Sequence, residues 1–563
     1  MFKTKSAFLF LFAALYAPII LAQDTSPPRL RTFDAEHYTI RTSFDRKTKT
    51  VFGETTVVVK PLKDNFRTLS LDAVNLRVES VMPENSAKPL TFLNNPGKLD
   101  ITLDKTYNAK ETVSVRIKYR AVNPRAGVYF VEPLSNSGKP VRPAQIWTQG
   151  EPEDNRHWFP SYDFPDDKAT TEQFITTTSA DETAIGNGEL IEVKNNPNGT
   201  KTFHYRMNQP LPTYLVSFVV GKYQKFSDKY GAIPLGYFLY PDRPESEKVL
   251  PLAYGKTQKM FALFEKTTGV KFPFAKYDQT VVGNFDAFAG MENVTATTMA
   301  DTEIYGALEP AGRRDTENLV THELAHSWFG NLVTCKNWSE LWLNEGFATF
   351  MESVFIENEY GRAAYLEEMR SNAQQAFAQE DINLKHPLVN LRARPDPLLF
   401  DSITYKKGGF VVHMLRETVG DEMFWKSVNA YLNAHRFGSV ETTDLQRAFE
   451  QTTGKDLNWF FEQWTRKAGY PKLKIEPAYS PAAQQLRLIV KQTQKADSQT
   501  PPFFRLSAEV IIETPDGAKT ERIEMNQREQ TFTFSVPRTP TKIVFDKNEQ
   551  ILKKAEIEPL ANF

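Results

Sequence analysis

The sequence predicts a multidomain α+β protein, because the period of its apolar residues changes twice along the chain. Strand-like alternation dominates residues 33–225, helical spacing dominates residues 226–470, and alternation returns over residues 471–563. With 563 residues, of which 40% are hydrophobic, the chain is long enough to bury more than one core. We therefore expect an N-terminal antiparallel β domain, a mainly helical domain and a C-terminal β-sandwich, in that order.

The strand-like regions alternate apolar and polar residues between turn signals. In the first region, residues 54–59 and 113–117 alternate, and Asn/Pro/Gly clusters at 94–97 and 196–199 separate such runs. Near the C-terminus, two alternating runs flank Asp516-Gly517, a dipeptide typical of tight hairpins. These features predict an antiparallel β domain at the N-terminus and a hairpin near the C-terminus.

Helical spacing begins after Pro241. Met260, Phe261 and Phe264 share one helical stripe within residues 251–269. Most of the next 200 residues follow the same period, which predicts a helical domain between the two β regions.

The overall charge argues against nucleic acid as a nonspecific partner. The chain has 68 Lys and Arg and 69 Asp and Glu, so its net charge is −1 and nothing favours nonspecific binding to nucleic acid. We therefore expect no nucleic-acid partner.

The chain has one cysteine, Cys335, which excludes an intrachain disulfide.

The first 22 residues have the composition of a signal peptide. Lys3 and Lys5 precede an apolar stretch at residues 7–22, and Ala22 offers a small residue for cleavage before Gln23. An uncleaved membrane anchor is the alternative. No other apolar run is long enough to span a bilayer, so we expect an exported chain, periplasmic or secreted, with no stable membrane span after cleavage.

The strongest chemical signal is a pair of histidines in the stretch H-E-L-A-H. His322 and His326 are four residues apart, so a helix places both on one face, where they can bind one ion. Asp315 or Thr316 could cap the start of this helix, and Gly330 suits its end. Two imidazoles suit Zn²⁺, but a catalytic zinc site needs a third protein ligand.

Glu345 is the predicted third ligand, and Glu323 is the predicted base. The 18 residues after His326 suffice to end one helix, turn, and return on a second helix that carries Glu345. Glu323 is rotated about 100° from His322, so it would flank the ion and take a proton from the water that zinc acidifies.

Five segments together resemble the aminopeptidase N family of zinc metallopeptidases, the gluzincins of peptidase family M1. H-E-L-A-H is followed after eighteen residues by the glutamate of W-L-N-E-G-F-A, and A-G-M-E-N at 289–293 is similar to the exopeptidase motif G-x-M-E-N. The other three resembling segments are T-Q-G-E-P at 148–152, I-T-Y-K-K-G at 403–408, and F-F-E-Q-W at 460–464 with G-Y-P at 469–471.

The resemblance implies a thermolysin-like catalytic domain with a small sheet and one Zn²⁺ per chain. It also implies that Glu151 and Glu292 bind the free α-ammonium of a peptide, and that Tyr405 donates a hydrogen bond to the oxyanion. The remaining residues of the exopeptidase motif would contact substrate, with Met291 at the first side-chain pocket; they are Ala289, Gly290, Met291 and Asn293. Ala289 replaces the first glycine of the motif, and its methyl group is expected to crowd this pocket.

These observations predict an exported zinc aminopeptidase acting on peptides with a free N-terminal amine. Three alternatives stay open. An epoxide hydrolase of the leukotriene-hydrolase branch shares the zinc core but has Gln where this chain has Glu151. An endopeptidase would not need Glu151 or Glu292, and a non-catalytic binding module would be expected to have lost ligands that are present here.

Overall fold

The structure is a computed structural model that describes residues 29–563, apart from Asn85, Ala87, residues 286–288 and Asn383. Strands dominate up to Leu239, helices follow, and strands return after Thr465. The predicted multidomain α+β organisation, with an N-terminal β domain before a mainly helical region, is therefore confirmed. The predicted domain boundaries stay predictions, and the signal peptide predicted at residues 1–22 lies outside the described residues.

The N-terminal region consists of short strands in several sheets. Its strands are β1 (Phe33–Asp45), β2 (Thr50–Pro61), β3 (Phe66–Asp72), β4 (Leu76–Pro83), β5 (Thr91–Asn95), β6 (Lys98–Tyr107), β7 (Val113–Val122), β8 (Val128–Val131), β9 (Leu134–Asn136), β10 (Lys139–Arg142), β11 (Gln145–Thr148), β12 (Ala169–Thr176), β13 (Thr183–Gly186), β14 (Glu189–Asn195), β15 (Lys201–Leu211) and β16 (Phe218–Gly221).

The largest N-terminal sheet has the order β14-β15-β12-β1-β2-β7-β4. Burial alternates along β2 and β7, as the sequence pattern predicts for strands with one face on a core. One pair differs from the antiparallel prediction, because β1 runs parallel to β12. Over a hundred residues separate these two strands, and so long a connection does not impose the direction that a hairpin does. The end of β11 leads to Glu151.

The central region combines helices with one mixed sheet. Its strands are β17 (Gln224–Tyr230), β18 (Ile233–Leu239), β19 (Tyr277–Val282), β20 (Gly290–Met291), β21 (Ala296–Ala300), β22 (Thr334–Cys335) and β23 (Ser439–Val440). Its helices are α1 (Ser246–Tyr254), α2 (Thr257–Thr268), α3 (Asp301–Gly306), α4 (Arg313–Ala325), α5 (Trp342–Tyr360), α6 (Arg362–Asp381), α7 (Gly408–Val419), α8 (Asp421–Ala434), α9 (Thr442–Thr453) and α10 (Asn458–Thr465).

Two features of the central region position the site. The sheet has the order β17-β18-β19-β21-β20, and β20 at its edge carries the A-G-M-E-N motif next to α4. Helix α5 is buried from Trp342 to Ile356, so it forms the centre of the helical region and packs on both α4 and α7. None of the described helices combines the length and the apolar composition that crossing a bilayer requires.

Helix boundaries differ from the sequence expectations in two places. The helical stripe predicted over residues 251–269 divides into α1 and α2, with a break at Gly255. Helix α4 starts at Arg313 after Gly312, so neither Asp315 nor Thr316 caps it. The Thr316 hydroxyl instead donates to the carbonyl of Glu303, a bond between α4 and α3 that no local pattern reveals.

The C-terminal region contains two described sheets. Its strands are β24 (Lys472–Ser480), β25 (Gln485–Gln492), β26 (Leu506–Thr514), β27 (Gly517–Met525), β28 (Glu529–Ser535), β29 (Lys542–Phe545), β30 (Lys554–Ile557) and β31 (Ala561–Asn562). The hairpin predicted at Asp516-Gly517 joins β26 and β27. One sheet contains β28-β25-β24-β30 with β31 beside β24, and the other contains β27-β26-β29. The β-sandwich itself stays a prediction.

Candidate functional site

Helix α4 presents both predicted histidine ligands on one face. His322 lies in its last turn, and His326 directly follows its final residue, Ala325. The backbone of His326 is still right-handed helical, with φ −56° and ψ −23°, and its N–H donates to the His322 carbonyl at 3.2 Å. The two rings therefore lie 4.6 Å apart between centroids, although the helix ends earlier than Gly330, where the sequence suggested its end.

Glu345 faces the two imidazoles from the first turn of α5. Its Oε2 lies 3.1 Å from Nε2 of His322 and 3.4 Å from Nε2 of His326. One ligand atom from each of the three residues falls within 4.8 Å of the others. The structure thus brings together the three residues that the sequence predicts as metal ligands.

The outward nitrogens of both histidines are held by acceptors. Nδ1 of His322 lies 2.7 Å from Oε1 of Glu352, and Nδ1 of His326 lies 2.9 Å from the Phe329 carbonyl. Because each Nδ1 faces an acceptor, each ring is oriented so that Nε2 faces the shared point. Sequence reasoning assigned no role to Glu352, although it lies two turns after Glu345 on the same stripe of α5.

Replacing Glu352 with Gln is expected to weaken Zn²⁺ binding by about 10- to 100-fold, because the His322 ring loses the carboxylate that orients it. The dissociation constant can be measured by competition with a chromophoric chelator. Exchange of Glu357 on the same helix, which contacts only arginines outside the cavity, should leave zinc affinity unchanged. Equal affinity in the wild type and in E352Q would show that Glu352 does not support the metal site.

Three donors of this kind fit Zn²⁺. Two neutral imidazole nitrogens and one carboxylate oxygen, with room for a further ligand, match the donor set of catalytic zinc sites. Burial lowers the pKa of His322, but its hydrogen bonds to Glu345 and Glu352 outweigh this and raise the pKa to about 9. A metal ion at Nε2 would take the place of that proton, since only the neutral ring can ligate.

Glu323 lies between the metal ligands and strand β20. A Cβ at Gly290 would overlap its carboxylate, so the glycine allows the backbone of β20 to pass directly against this acid. The Oε2 atom of Glu323 is buried without a hydrogen-bond partner. Burial raises the pKa of Glu323 to about 8, and a divalent cation beside it would act in the opposite direction.

Glu151 and Glu292 meet beside Glu345, although β11 and β20 bring them from distant parts of the chain. One oxygen of each of the three carboxylates lies within 4.8 Å of the others. Glu151 is 4% exposed and Glu292 is 3% exposed, and Oε1 of each has no partner. Burial raises the pKa of both carboxyls, and for Glu151 the charge of Glu292 adds to this effect. Such a pair favours a cation.

The other residues of the A-G-M-E-N motif have different positions. Ala289, Gly290 and Met291 line the same cavity as the acids. Ala289 has φ +61°, a conformation that favours the glycine usual at this position of the motif. The Asn293 side chain is buried outside the cavity lining, and its amide donates to the Thr298 hydroxyl at 3.3 Å, which ties the turn after β20 to β21. Its contact with substrate stays a prediction.

Tyr405 reaches the cavity from a single turn of π-helix, Ile403–Lys407, directly before α7. Its ring stacks on His322, with centroids 5.8 Å apart and an interplanar angle of 13°. The Asp401 carboxylate supports this turn by accepting hydrogen bonds from the backbone N–H groups of residues 403 and 404. Burial and the negative charge of Glu345 raise the pKa of Tyr405 well above its usual value, so the phenol keeps its proton as a donor.

A close contact between glycines sets the position of that turn. A Cβ on Gly346, the residue after Glu345, would lie 2.9 Å from the backbone of Gly408, three residues after Tyr405. Real side chains do not approach a backbone so closely, so α5 and the start of α7 can meet only because both residues are glycine. This contact holds the Tyr405 turn beside the metal ligands.

One cavity of about 260 Å³ is lined by the residues Glu151, Glu292, His322, Glu323, His326, Glu345, Glu352 and Tyr405. Its charged lining is acidic apart from the two histidines. The lining includes Glu303 on α3, Asp315 near the start of α4, Glu151 and Glu292, and Oε1 of Glu292 lies 3.9 Å from Nδ1 of His326. A cavity of this charge suits a metal ion and a positively charged ligand.

Two family models match most of the chain. The Peptidase M1 N-terminal domain matches residues 34–215, and the Peptidase family M1 domain matches residues 252–464. Among curated proteins, the chain is 29% identical to Aminopeptidase 2, mitochondrial, of Saccharomyces cerevisiae, over 78% of this chain and 46% of that protein. It is 32% identical to Aminopeptidase N of Streptomyces lividans, over 62% of this chain and 40% of that protein.

A third relative extends the comparison to archaea. The chain is 29% identical to Tricorn protease-interacting factor F2 of Thermoplasma acidophilum, over 78% of this chain and 54% of that protein. The chain thus spans about half the length of the curated relatives that it matches.

Proposed function

Because this chain belongs to peptidase family M1, we propose that it is a zinc-dependent aminopeptidase, which removes the first residue from peptides with a free N-terminal amine. The observation that carries the proposal is the buried pair Glu151 and Glu292, with unpartnered oxygens, beside the His322–His326–Glu345 cluster. This arrangement supports recognition of a peptide's amine next to a hydrolytic metal.

His322, His326 and Glu345 would hold the zinc ion. When bound, zinc supplies a Lewis acid that polarises the scissile carbonyl and makes a water more acidic. The other cavity residues would supply the rest of the chemistry, and each of them already faces the same space.

Glu151 and Glu292 would hold the substrate's α-ammonium, since their buried carboxylates favour a cation over a neutral amide. Their oxygens lie within 4.8 Å of Glu345, and one extended residue spans about 3.5 Å. An ammonium at this pair therefore leaves room for one residue before the bond that is cut.

Glu323 and Tyr405 would carry the proton transfer and stabilise the charge. Glu323 takes a proton from the attacking water and returns it to the leaving amine. Tyr405 donates its phenolic proton in a hydrogen bond to the carbonyl oxygen as that oxygen becomes negative. The retained proton on the buried phenol and the unpartnered oxygen of Glu323 support these roles.

The test is a panel of aminoacyl reporter amides, assayed with purified protein before and after removal of metal by a chelator. We expect hydrolysis of one or more amides, complete loss with the chelator, and recovery on adding one equivalent of Zn²⁺ per chain. Hydrolysis that persists in metal-free protein would contradict a zinc mechanism.

We propose periplasmic or secreted localisation only on the composition of residues 1–22. The near-neutral net charge supports peptides, and not nucleic acid, as partners.

A further inference from the structure

The acidic end of the cavity contains more carboxylate than one zinc ion compensates. Glu151, Glu292, Glu323 and Glu345 together carry four negative charges when ionised, and all four line the same cavity. A divalent ion held by the histidines and Glu345 would balance two of these charges. Two charges would remain beside the buried oxygens of Glu151 and Glu292 that have no hydrogen-bond partner.

Those oxygens have the arrangement of a cation site. Glu151, Glu292 and Glu345 each offer one oxygen, and the three lie within 4.8 Å of one another. Oε1 of Glu151 and Oε1 of Glu292 have no hydrogen-bond partner, and both residues are more than nine-tenths buried. Oε1 of Glu292 lies 3.9 Å from Nδ1 of His326, too far for a hydrogen bond. Buried carboxylate oxygens without a hydrogen bond are costly, so a cation between them would lower the free energy of the folded protein.

We propose that Glu151, Glu292 and Glu345 form a second divalent-cation site, next to the histidine site and sharing Glu345 with it. A carboxylate can bridge two metal ions about 3.5–4 Å apart, as in two-metal hydrolases. The second site offers only oxygen donors, so it prefers a hard cation such as Mn²⁺, Ca²⁺ or Mg²⁺, whereas the histidine site prefers Zn²⁺.

The second cation competes with substrate. It takes the position that the proposed function gives to the α-ammonium of the peptide, so the two cannot bind at once. This part of the inference rests on the proposed function; the existence of the second site does not. Occupancy by the cation therefore raises KM without changing kcat.

The experiment titrates Mn²⁺ into protein whose content of one Zn²⁺ per chain has been verified, and follows free Mn²⁺ by electron paramagnetic resonance. We expect one further Mn²⁺ per chain, with zinc retained. E151Q and E292Q should each weaken Mn²⁺ binding by about tenfold or more, because each removes a charged ligand. E317Q, the same chemical change at a residue outside this cavity whose carboxylate accepts hydrogen bonds from Lys256 and Tyr360, should leave Mn²⁺ binding unchanged.

Two outcomes would overturn the second site: no Mn²⁺ bound beyond the zinc equivalent, or Mn²⁺ binding that E151Q and E292Q do not weaken. Displacement of zinc by Mn²⁺ would also refute it. The Mn²⁺ titration does not depend on peptide hydrolysis. A protein that hydrolyses none of the aminoacyl amides would contradict the proposed function, but its Mn²⁺ binding would still test the second site. In active protein, Mn²⁺ that lowers kcat at constant KM would refute the competition.

Discussion

Replacing Glu323 with Gln should lower the turnover of an aminoacyl amide by about 10³-fold, with the zinc content still one per chain. The amide keeps the shape of the carboxylate and its contact with Gly290, but it cannot accept a proton from water. Glu323 is not among the three ligands that converge on the metal point, so zinc affinity should hold. Turnover is measured at saturating substrate, and zinc by elemental analysis of the same sample.

Glu317 provides the matched control for this substitution. It lies on the same helix, is largely buried, and accepts hydrogen bonds from Lys256 and Tyr360 outside the cavity. E317Q therefore tests the effect of the same chemical change on α4 without touching the proposed chemistry, and its turnover should match that of the wild type. If E323Q also kept full turnover, Glu323 could not be the base.

Acetylating the N-terminus of a peptide should lower kcat/KM for release of its first residue by about 10⁴-fold. A site built around a charged group strongly rejects an analogue that lacks it, because the buried acids then lose their partner. The comparison uses one peptide with and without the acetyl group, and mass spectrometry identifies the bond that is cut.

E151Q and E292Q test whether Glu151 and Glu292 cause this discrimination against the acetylated peptide. Each should lower kcat/KM for the free peptide more than for the acetylated one, so that the discrimination between the two peptides shrinks. Efficient internal cleavage of the acetylated peptide would instead indicate an endopeptidase. Turnover of lipid epoxides with no peptide hydrolysis would favour the epoxide hydrolase alternative.

The grouping of His322, His326 and Glu345 was predictable because its spacing is local. Helical periodicity alone puts His322 and His326 on one face, and eighteen residues suffice to bring Glu345 back to them. The order of β and helical regions was equally predictable, since the period of apolar residues changes where the structure changes. The resemblance to a known family was needed to single out Glu151, which lies 141 residues before Glu292 in the chain.

Other features depend on tertiary contacts that no local pattern encodes. The parallel pairing of β1 with β12 depends on how a long connection crosses the sheet. Helix α4 begins without a side-chain cap, and the Thr316 hydroxyl donates to the Glu303 carbonyl of α3. Glu352 was visible on the stripe of α5, but its contact with Nδ1 of His322 needed the packing of α4 on α5. The hydrogen bond of Asn293 to Thr298 across the turn after β20 likewise could not be read from the motif.

The contact of Gly346 with Gly408 means that two touching backbones, with no side chain between them, determine the distance from Glu345, the predicted metal ligand, to the Tyr405 turn. Substitutions that reshape the specificity pocket can therefore leave this spacing intact. A methyl group at either glycine would push the two helices apart. The geometry of the site would therefore tolerate wide variation around the cleft and almost none at this junction.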